Sequence, residues 1–559
     1  MYYSRYFCKM GYTTSVLMKK IFLFIFIFGF FLFLFHPLFA SGFPLVHDGE
    51  VITARIAAYR TAFTDGHIPP RWAGNLNYGY GTPVFIFYYP LIGYAGALLS
   101  FLGIPYETVY KILLSSGMCL GFFTWYVWMR NRFSKAIGLV SAFLFTTSPY
   151  MLLNLYVRGD VGELFALAWV PIVFYLFDCM LKQRTYTSII YVAASWATLI
   201  LLHNIVAFLF SFIFVFYLIA VMQGKKIATG VFIICGTSFL ALLLSFFFWF
   251  PALWELRYIG PLTESSVSFF RHFLSFPNIV TASWGFGTNV NSPGGLAPQL
   301  GLVLPVGAIL SCCMVLVSKK KDRVFFLFWF TVFIISIFLQ LSQSAPLWRS
   351  MVFLTKIQFP WRLMGITTIA VIAFISWSLQ YVRGKWIYFL LIGVSILFST
   401  QFIGVKEFFQ PKSDRWYEVY PGTTVFHNET TTKWTKGDFY AFPEKKAIVS
   451  AGNAVITDMH STSIRDIFTV DAKEQSTLVV YRQFYPGWNV YIDGQKSQIE
   501  FQNQMYPGII SFDIPQGRHE VQLRFDETKT RAAANSITGL SIAGCIGILV
   551  FLKKEKTSF

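Results

Sequence analysis

Long apolar runs alternate with short polar stretches along most of the chain. Each run approaches the roughly 20 residues that cross a bilayer as a helix. The composition agrees, because 55% of residues are hydrophobic and only 13% are charged, with a mean hydropathy of +0.56. The pattern predicts a polytopic α-helical membrane protein. Thirteen runs qualify: 20–39, 84–102, 109–129, 136–156, 163–181, 187–202, 205–222, 228–250, 300–318, 324–341, 362–381, 386–404 and 534–552.

The basic residues give the chain a formal net charge of +18. Most of them sit in short clusters between apolar runs, which is the pattern that orients membrane helices with their basic loops in the cytoplasm. Nucleic acid is therefore excluded as a partner. The clusters are Lys19-Lys20, Arg130/Arg132/Lys135, Lys182/Arg184, Lys225-Lys226, Lys319–Lys321/Arg323, Arg383/Lys385 and Lys553-Lys554/Lys556.

The clusters also decide how many runs cross the membrane. The first run resembles a signal peptide, but bulky Leu38 precedes its small-residue end, which favours a retained helix. If 84–102 also crossed, every later basic cluster would face outside. Treating 84–102 as an interfacial or re-entrant helix at the outer face predicts twelve spans in the cytoplasmic membrane, with both termini cytoplasmic. The loops 40–82, 158–162 and 251–299 then lie outside and contain no lysine. A true span at 84–102, with a compensating error elsewhere, is the alternative.

The segment 405–533 differs from the rest, because its hydrophobic residues alternate with polar ones. Alternation of this kind, with tight turns at Asp493-Gly494 and Gln516-Gly517, is typical of short β-strands. We predict a small extracytoplasmic β-sandwich-like domain here, between a membrane domain at 1–404 and a last helix with a basic tail at 534–559. The strand candidates are SIRDIFTV, STLVVYRQF, WNVYIDG, GIISFDI and HEVQLRF.

Polar residues that could carry chemistry collect on the predicted outer side. Charged groups near the hydrocarbon are costly and tend to mark function. The first outer loop holds His47, Asp48, Glu50, Arg55, Arg60, Asp65, His67, Arg71 and Trp72. Later outer segments add Arg158, Asp160, Glu163, His203, Asn204, Glu255, Arg257, Gln358, Trp361 and Arg362. Because these residues lie at helix ends on one face, they could converge into one cavity.

Each of these groups also has a purely structural interpretation. Asp48 could cap the helix that begins near Gly49, since Asp is a favoured N-cap residue. RGDVGE could be an ion pair between Arg158 and nearby carboxylates that holds two helix ends together. His203 could belong to a structural turn, and Arg362 could anchor a helix at the interface. Because all of these groups lie on one predicted face, a shared functional site is favoured over separate structural roles.

The chemistry that fits such a site is glycosyl transfer from a lipid-linked donor. A carboxylate can act as general base toward an acceptor hydroxyl or amine, and arginines can clamp a phosphate leaving group. A lipid-linked phosphosugar supplies an apolar tail for the bilayer and a phosphate for the arginines. The sequence has no GxxxxGK[ST] loop, no evident Rossmann fingerprint and no Cys/His spacing of a zinc site.

The motifs also resemble known families. HDG…H.PPRW, GYGTPVFIFYYPL, YVRGDVGE, LLHN and QFPWR resemble the membrane proteins labelled 6-pyruvoyl-tetrahydropterin synthase-related, a label that implies no pterin chemistry. FYPGWNVYIDGQ resembles the ending of YfhO-like membrane proteins. Both groups are similar to the C-type (GT-C) glycosyltransferase superfamily. This resemblance implies a polyprenyl-phosphate sugar donor and a catalytic base in the first outer loop, which by position is Asp48.

The combined hypothesis is an inverting glycosyltransferase with Asp48 as general base. Phosphate would be bound by Arg55, Arg71 and Arg158, and the sugar or acceptor pocket shaped by Glu163, His203 and Arg362. His47, Glu50 and His67 complete the expected substrate-binding set. The acceptor would be a glycan, lipid or protein, and a divalent metal stays an open alternative. The rival hypotheses are a transporter or flippase for a lipid-linked glycan, and a non-catalytic cell-envelope assembly protein.

Overall fold

The computed structural model describes residues 2–183, 185–221, 227–260, 269–425 and 429–557. A helix bundle occupies most of the chain, and a domain of antiparallel strands precedes the last helix. This confirms the predicted fold class, a multi-pass helical membrane protein with a C-terminal β-rich region. In the described residues, seven helices are long and apolar enough to span a bilayer: Leu17–Phe35, Tyr106–Arg132, Val161–Gln183, Asn204–Val221, Arg323–Gln340, Pro360–Tyr381 and Lys529–Lys554.

Two further apolar segments are bent helix pairs, which raise the number of spans by length and composition to nine. Lys135–Thr146 joins Pro149–Arg158 at 45°, and Gly230–Leu244 joins Phe246–Tyr258 at 77°. The predicted run 228–250 therefore falls on a broken helix, which turns sharply at Ser245. Three shorter apolar helices, Tyr186–Leu202, Val303–Val317 and Trp386–Phe402, fall on three more predicted runs. The twelve-span topology remains a prediction.

The segment 84–102 forms two short helices. They are Val84–Phe87 and the ten-residue Leu91–Ser100. Because a ten-residue helix is only about 15 Å long, it cannot cross a hydrocarbon core of about 30 Å. The second helix packs on Gly49–Thr64 through Gly93 and Gly96, where an added Cβ would lie 2.1 Å from Tyr59 and 2.6 Å from Ile56. The first outer loop and this segment therefore form one packed unit.

The centre of the bundle is the Met364–Ser378 helix, all of whose residues are buried. Its sequence is apolar around the whole circumference, which is characteristic of a helix surrounded by other helices. Arg323–Gln340 packs on one side of it, where Gln340 donates to Thr367 at 2.8 Å. Lys135–Thr146 lies on another side, where the Ser141 and Ser376 hydroxyls are 2.7 Å apart.

The strands form two antiparallel sheets that together bury one apolar core. The five-stranded sheet has the order Ala454–Ser461, Arg465–Ala472, Gly517–Phe525, Trp488–Ile492 and Gln495–Ser497. The three-stranded sheet has the order Ala447–Ala451, Ser476–Gln483 and Ile509–Ile514. Inward residues such as Phe468 and Leu523 from one sheet meet Leu478 and Phe512 from the other. All five predicted strand candidates lie within this sandwich.

The sandwich core contains a residue from the first outer loop. Trp72 is fully buried in that core, 5.4 Å from the ring of Phe525 and 5.7 Å from that of Trp488. Gly81 has φ +82°, and a Cβ at this position would come within 2.5 Å of the Trp72 indole nitrogen. The GYGTP turn therefore requires glycine here, because it folds directly over the tryptophan.

The segment 405–425 packs on the helices, outside the sandwich. Phe408–Phe409 pairs with Phe43–Pro44, and Asp414–Glu418 is a short helix. The backbone amides of Tyr106 and Lys412 donate to Asp414 and Glu107 at 3.0 and 2.8 Å. The strands of the sandwich therefore begin at Ala447, although we predicted a β-rich region from residue 405.

A buried ion pair joins the sandwich to the bundle at the start of the last helix. Arg531 donates through Nε and Nη2 to the two carboxylate oxygens of Glu255, at 2.8 and 2.9 Å. The hydroxyl of Tyr485 in the sandwich also donates to Glu255, at 2.9 Å. Both charged side chains are almost completely buried.

Because Glu255→Gln leaves the buried charge of Arg531 without an ion-pair partner, we expect it to destabilise the protein by about 3 kcal/mol. Thermal unfolding of the purified protein in detergent measures this change. Exposed Glu474→Gln is the matched control, for which we expect a change below about 0.5 kcal/mol. Equal melting temperatures for the two variants would contradict a stabilising role for the pair.

Candidate functional site

The first outer loop is held against the RGDVGE turn by backbone hydrogen bonds. The amides of His47 and Asp48 donate to the carbonyls of Val157 and Arg158, at 3.0 and 2.8 Å. The His47 ring nitrogen Nε2 lies 2.9 Å from the carbonyl oxygen of Phe286. These contacts fix the position of the Asp48 side chain relative to Arg158.

Asp48 occupies the N-cap position of the Gly49–Thr64 helix without capping it through its side chain. Its carbonyl accepts the first helical bond, from Ile52 at 3.0 Å. Within the described part of the chain, its half-buried carboxylate has no hydrogen bond or ion pair. The capping interpretation therefore does not account for the carboxylate.

Arg158 is the centre of a buried ion cluster. Its guanidinium lies 3.0 Å from Asp160 and 2.8 Å from Glu163, and it also donates to Asn154. The ring of Trp361 covers it, with 4.9 Å between the guanidinium carbon and the ring centroid. The structure thus contains the ion pair that RGDVGE suggested, and both terminal nitrogens of the guanidinium have partners.

The turn that carries this cluster depends on Gly159. This residue has φ +67°, and a Cβ there would lie 2.2 Å from the Tyr110 hydroxyl. The chain can therefore leave the Asn154–Arg158 π-helix and start the Val161–Gln183 helix within two residues. Asp160 accepts the Glu163 amide at 2.9 Å, which is an N-terminal capping bond.

Asp48 lies in the electrostatic field of this cluster and of two other arginines. Burial raises the pKa of Asp48 to about 6, and the charge of Asp160 adds to that rise, whereas Arg158, Arg55 and Arg362 oppose it. Burial would also raise the pKa of Asp160, but Arg158 and neighbouring cations hold it below its ordinary value. The two carboxyls therefore differ, with Asp160 firmly ionised and Asp48 readily protonated.

A second set of contacts closes the site between Arg55 and Arg362. Arg55 donates to Thr424, and its guanidinium carbon lies 3.8 Å from the centroid of the Tyr88 ring. The Tyr88 hydroxyl donates to Glu429 at 3.2 Å, and the Gln358 amide donates to the other oxygen of Glu429, also at 3.2 Å. These bonds connect the first outer loop, the segment after residue 424 and the QFPWR turn.

Arg362 has free donor capacity. Its Nη1 donates to the Gln358 side chain at 2.6 Å and to the Ile357 carbonyl at 3.2 Å. Its Nε is buried and has no hydrogen-bond partner among the described residues. Arg362 also lines a small cleft with Glu163 and His203, and the other walls of this cleft are apolar: Leu167, Ile205, Val206, Leu209, Phe210 and Ile366.

His203 completes a group with Asp160 and Glu163 whose possible ligand atoms lie within 4.8 Å of one another. Burial lowers the pKa of His203, although the two carboxylates act in the opposite direction. Its Nδ1 accepts the Val206 amide at 3.2 Å, so the neutral ring carries its proton on Nε2. Arg158 already pairs with both carboxylates, at 3.0 and 2.8 Å, so these contacts account for the group as an ion cluster.

The structure places Glu50, His67 and Arg71 away from this site. Glu50 forms an ion pair with Lys412 at 2.7 Å and accepts from the Tyr420 hydroxyl. The ring of His67 lies 5.8 Å from that of Phe525, and burial lowers the pKa of His67 to about 3.

Arg71 is buried next to Glu527 and donates to Asn535 at 2.8 Å. Arg71 thus serves the junction with the β-sandwich, and substrate binding by Glu50, His67 and Arg71 remains only a sequence prediction. The other predicted site residues, namely His47, Asp48, Arg55, Arg158, Glu163, His203 and Arg362, lie around one cluster.

Several residues of the cluster were absent from the predicted site. Tyr89 donates to Asp160 at 3.4 Å and lies 4.8 Å from the His203 ring, but its sequence context indicated only an interfacial tyrosine. Asp160 lies in RGDVGE between Arg158 and Glu163, which were both predicted as site residues, so its position in the motif could have identified it. Glu429 has no motif around it, and no pattern in the sequence links it to Tyr88.

We expect Asp48→Asn to raise stability at pH 7.5 by about 1–3 kcal/mol, because the pKa of about 6 in the folded state exceeds the ordinary 3.8. In wild type the penalty of the ionised carboxylate develops as pH rises from about 4 to 6, so the two proteins should converge near pH 4. Thermal unfolding across this range measures the difference, with exposed Asp471→Asn as control. A destabilised Asp48→Asn would instead indicate a structural cap.

Comparison with known proteins finds a relative that matches part of the chain. It is 27% identical over 247 residues to an uncharacterized protein of Lactococcus lactis subsp. cremoris (strain MG1363), a match that covers 42% of this chain and 40% of that protein. The chain therefore spans well under half the length of this relative.

Two solved structures show weak overall likeness to this chain. Arabinofuranosyltransferase AftD from Mycobacteria is 14% identical, with a TM-score of 0.46 and coverage of 69% of this chain and 26% of that one. ArnT from Cupriavidus metallidurans in the apo state is 12% identical, with a TM-score of 0.35 and coverage of 65% and 60%. Likeness at these scores carries no functional argument.

The family match is broader, since the membrane protein family described as the 6-pyruvoyl-tetrahydropterin synthase related domain covers residues 85–405. These residues include the YVRGDVGE, LLHN and QFPWR motifs, on which the resemblance rested in part. The match spans more than half of the chain. This chain belongs to the 6-pyruvoyl-tetrahydropterin synthase related family of membrane proteins.

Proposed function

We propose that this chain is an inverting glycosyltransferase of the cytoplasmic membrane that transfers a sugar from a polyprenyl-phosphate donor to an acceptor at the outer face. The observation that carries the proposal is the Asp48 carboxylate. It is half-buried, has no partner in the described residues, and lies in the field of Arg55, Arg158 and Arg362. Holding a carboxylate without a partner is costly, and such sites are typical of catalysis.

In the proposed reaction Asp48 accepts the proton of the acceptor hydroxyl or amine. The freed electron pair forms the new bond to the anomeric carbon, while the bond from that carbon to the phosphate oxygen breaks. The phosphate leaves with the bonding electrons, and cationic side chains neutralise its added charge. A base whose pKa is about 6 is ionised at neutral pH and still accepts a proton readily.

Arg362 is the arginine best suited to bind the leaving phosphate. Its buried Nε is an unused donor, and charge-assisted bonds from a guanidinium fork match the geometry of phosphate oxygens. Arg158 is less suited, because Asp160, Glu163 and Asn154 already contact its two terminal nitrogens. We therefore assign Arg158 to support of the site and Arg362 to the donor.

We expect Asp48→Asn to lower the transfer rate at least about 100-fold, the usual contribution of a general base. Purified full-length protein with labelled undecaprenyl-phosphate or decaprenyl-phosphate sugars, and membrane extract as the acceptor source, provides the assay. In wild type the rate should rise with pH through about 6 and then level off, because the ionised carboxylate is the active form.

Asp471→Asn, on the surface of the sandwich, is the matched control and should keep the wild-type rate. A transporter or flippase would move the labelled lipid across vesicles without releasing polyprenyl phosphate. Donor cleavage that is absent from folded wild type, or that is unchanged in Asp48→Asn, would overturn the proposal.

For Arg362 the expected effect is on donor use. We predict that Arg362→Gln lowers kcat/KM for the donor by about 10- to 100-fold, the loss of a charge-assisted hydrogen bond. Arg362→Lys should recover part of this loss, because the charge remains but the planar fork does not. Exposed Arg349→Gln controls for loss of positive charge, and equal rates for Arg349→Gln and Arg362→Gln would refute the assignment.

A further inference from the structure

A cavity of about 840 Å³ opens at the other end of the helix bundle. The Val161–Gln183 helix starts beside Arg158 and carries Asp178 and Lys182 near its other end. At 1.5 Å per residue, Lys182 lies roughly 30 Å from the Arg158 cluster. The cavity is thus separate from the site proposed for sugar transfer, and its function is independent of that proposal.

The walls of the cavity combine aromatic rings with polar side chains. Trp128, Phe133, Phe325 and Trp377 line it, together with Arg132. The Arg132 guanidinium carbon lies 4.1 Å from the centroid of the Phe325 ring. Pockets for small organic ligands have volumes of about 300–1,000 Å³, so this cavity has ligand-binding dimensions.

The two acidic residues of the cavity are already engaged. Asp178 accepts from the Trp128 indole at 3.1 Å, from Arg132 at 2.8 Å and from the Tyr217 hydroxyl at 2.8 Å. Asp322 accepts from the Tyr381 hydroxyl at 3.1 Å. Arg132 is likewise fixed by its ion pair with Asp178.

Lys182 and Lys320 give the cavity an excess of positive charge. Both line the cavity, and neither has a carboxylate within ion-pair distance in the described ranges. They come from two different segments, the end of the Val161–Gln183 helix and the turn before Arg323. The two lysines outnumber Asp322, the one carboxylate of the cavity without an ion pair among the described residues, and this excess beside aromatic rings favours an anion with an apolar body.

We propose that this cavity binds a phosphate monoester, carried either by a lipid or by a small soluble compound. Lys182 and Lys320 bind the phosphate group, which has nearly two negative charges at neutral pH. The rings of Trp128, Phe325 and Trp377 contact the rest of the ligand. Lysine ammonium groups suit this role because their flexible stems let two point charges converge on one phosphate.

The test is a titration of the melting temperature of full-length protein in a nonionic detergent. The probes are dioctanoyl phosphatidate and glycerol 3-phosphate, which share the phosphate monoester, and dioctanoylglycerol, which has the same acyl chains without phosphate. We expect at least one phosphate probe to raise the melting temperature and dioctanoylglycerol to have no effect. A shift with phosphatidate alone identifies a lipid ligand, and a full shift with glycerol 3-phosphate identifies a soluble one.

The double variant Lys182→Gln/Lys320→Gln should weaken binding of the active probe by about tenfold or more, because both phosphate contacts are lost. Lys135→Gln, an exposed lysine outside the cavity, is the charge-matched control and should bind like wild type. The single variant Lys182→Gln, with an intermediate loss, serves if the double variant does not fold. The proposal fails if neither phosphate probe shifts wild type, if dioctanoylglycerol is equally effective, or if the lysine variants bind with wild-type affinity.

Discussion

A guanidinium can be buried at the end of a membrane helix bundle only if negative charge is buried with it. Arg158 satisfies this constraint with Asp160 and Glu163, and Trp361 covers the resulting cluster. Helix ends that are distant in sequence are thereby fixed at one point. The first outer loop is fixed there too, because its backbone pairs with the carbonyl of Arg158 itself.

The same cluster explains why one carboxylate remains unpaired. Arg158 can pair with two acids at contact distance, and Asp160 and Glu163 occupy those places. Asp48 lies close enough to interact electrostatically with the neighbouring arginines, and it is also repelled by the negative charge of Asp160. The structure thus separates two roles that the sequence pattern does not distinguish: acids that hold the turn together, and one acid whose proton affinity is raised.

Local patterns predicted much of the fold, because membrane helices and half-buried strands have strong local signatures. The positions of basic clusters also singled out 84–102, whose helix of ten residues is too short to span. The bend at Ser245 and the packing of 405–425 on the helices were not predicted, since tertiary contacts determine both. Within the site, position in a motif was informative for Arg158 and Glu163. For Arg71, the motif did not indicate its partner Glu527, which lies in a distant part of the chain.

Burial of Trp72 in the sandwich core has a consequence for biosynthesis. Its partners Trp488 and Phe525 are synthesised about 400 residues later, after most of the helices have entered the membrane. Until those partners are synthesised, the large aromatic side chain of Trp72 remains unburied. Assembly of this junction therefore finishes last, when the C-terminal strands fold around a residue that was synthesised early.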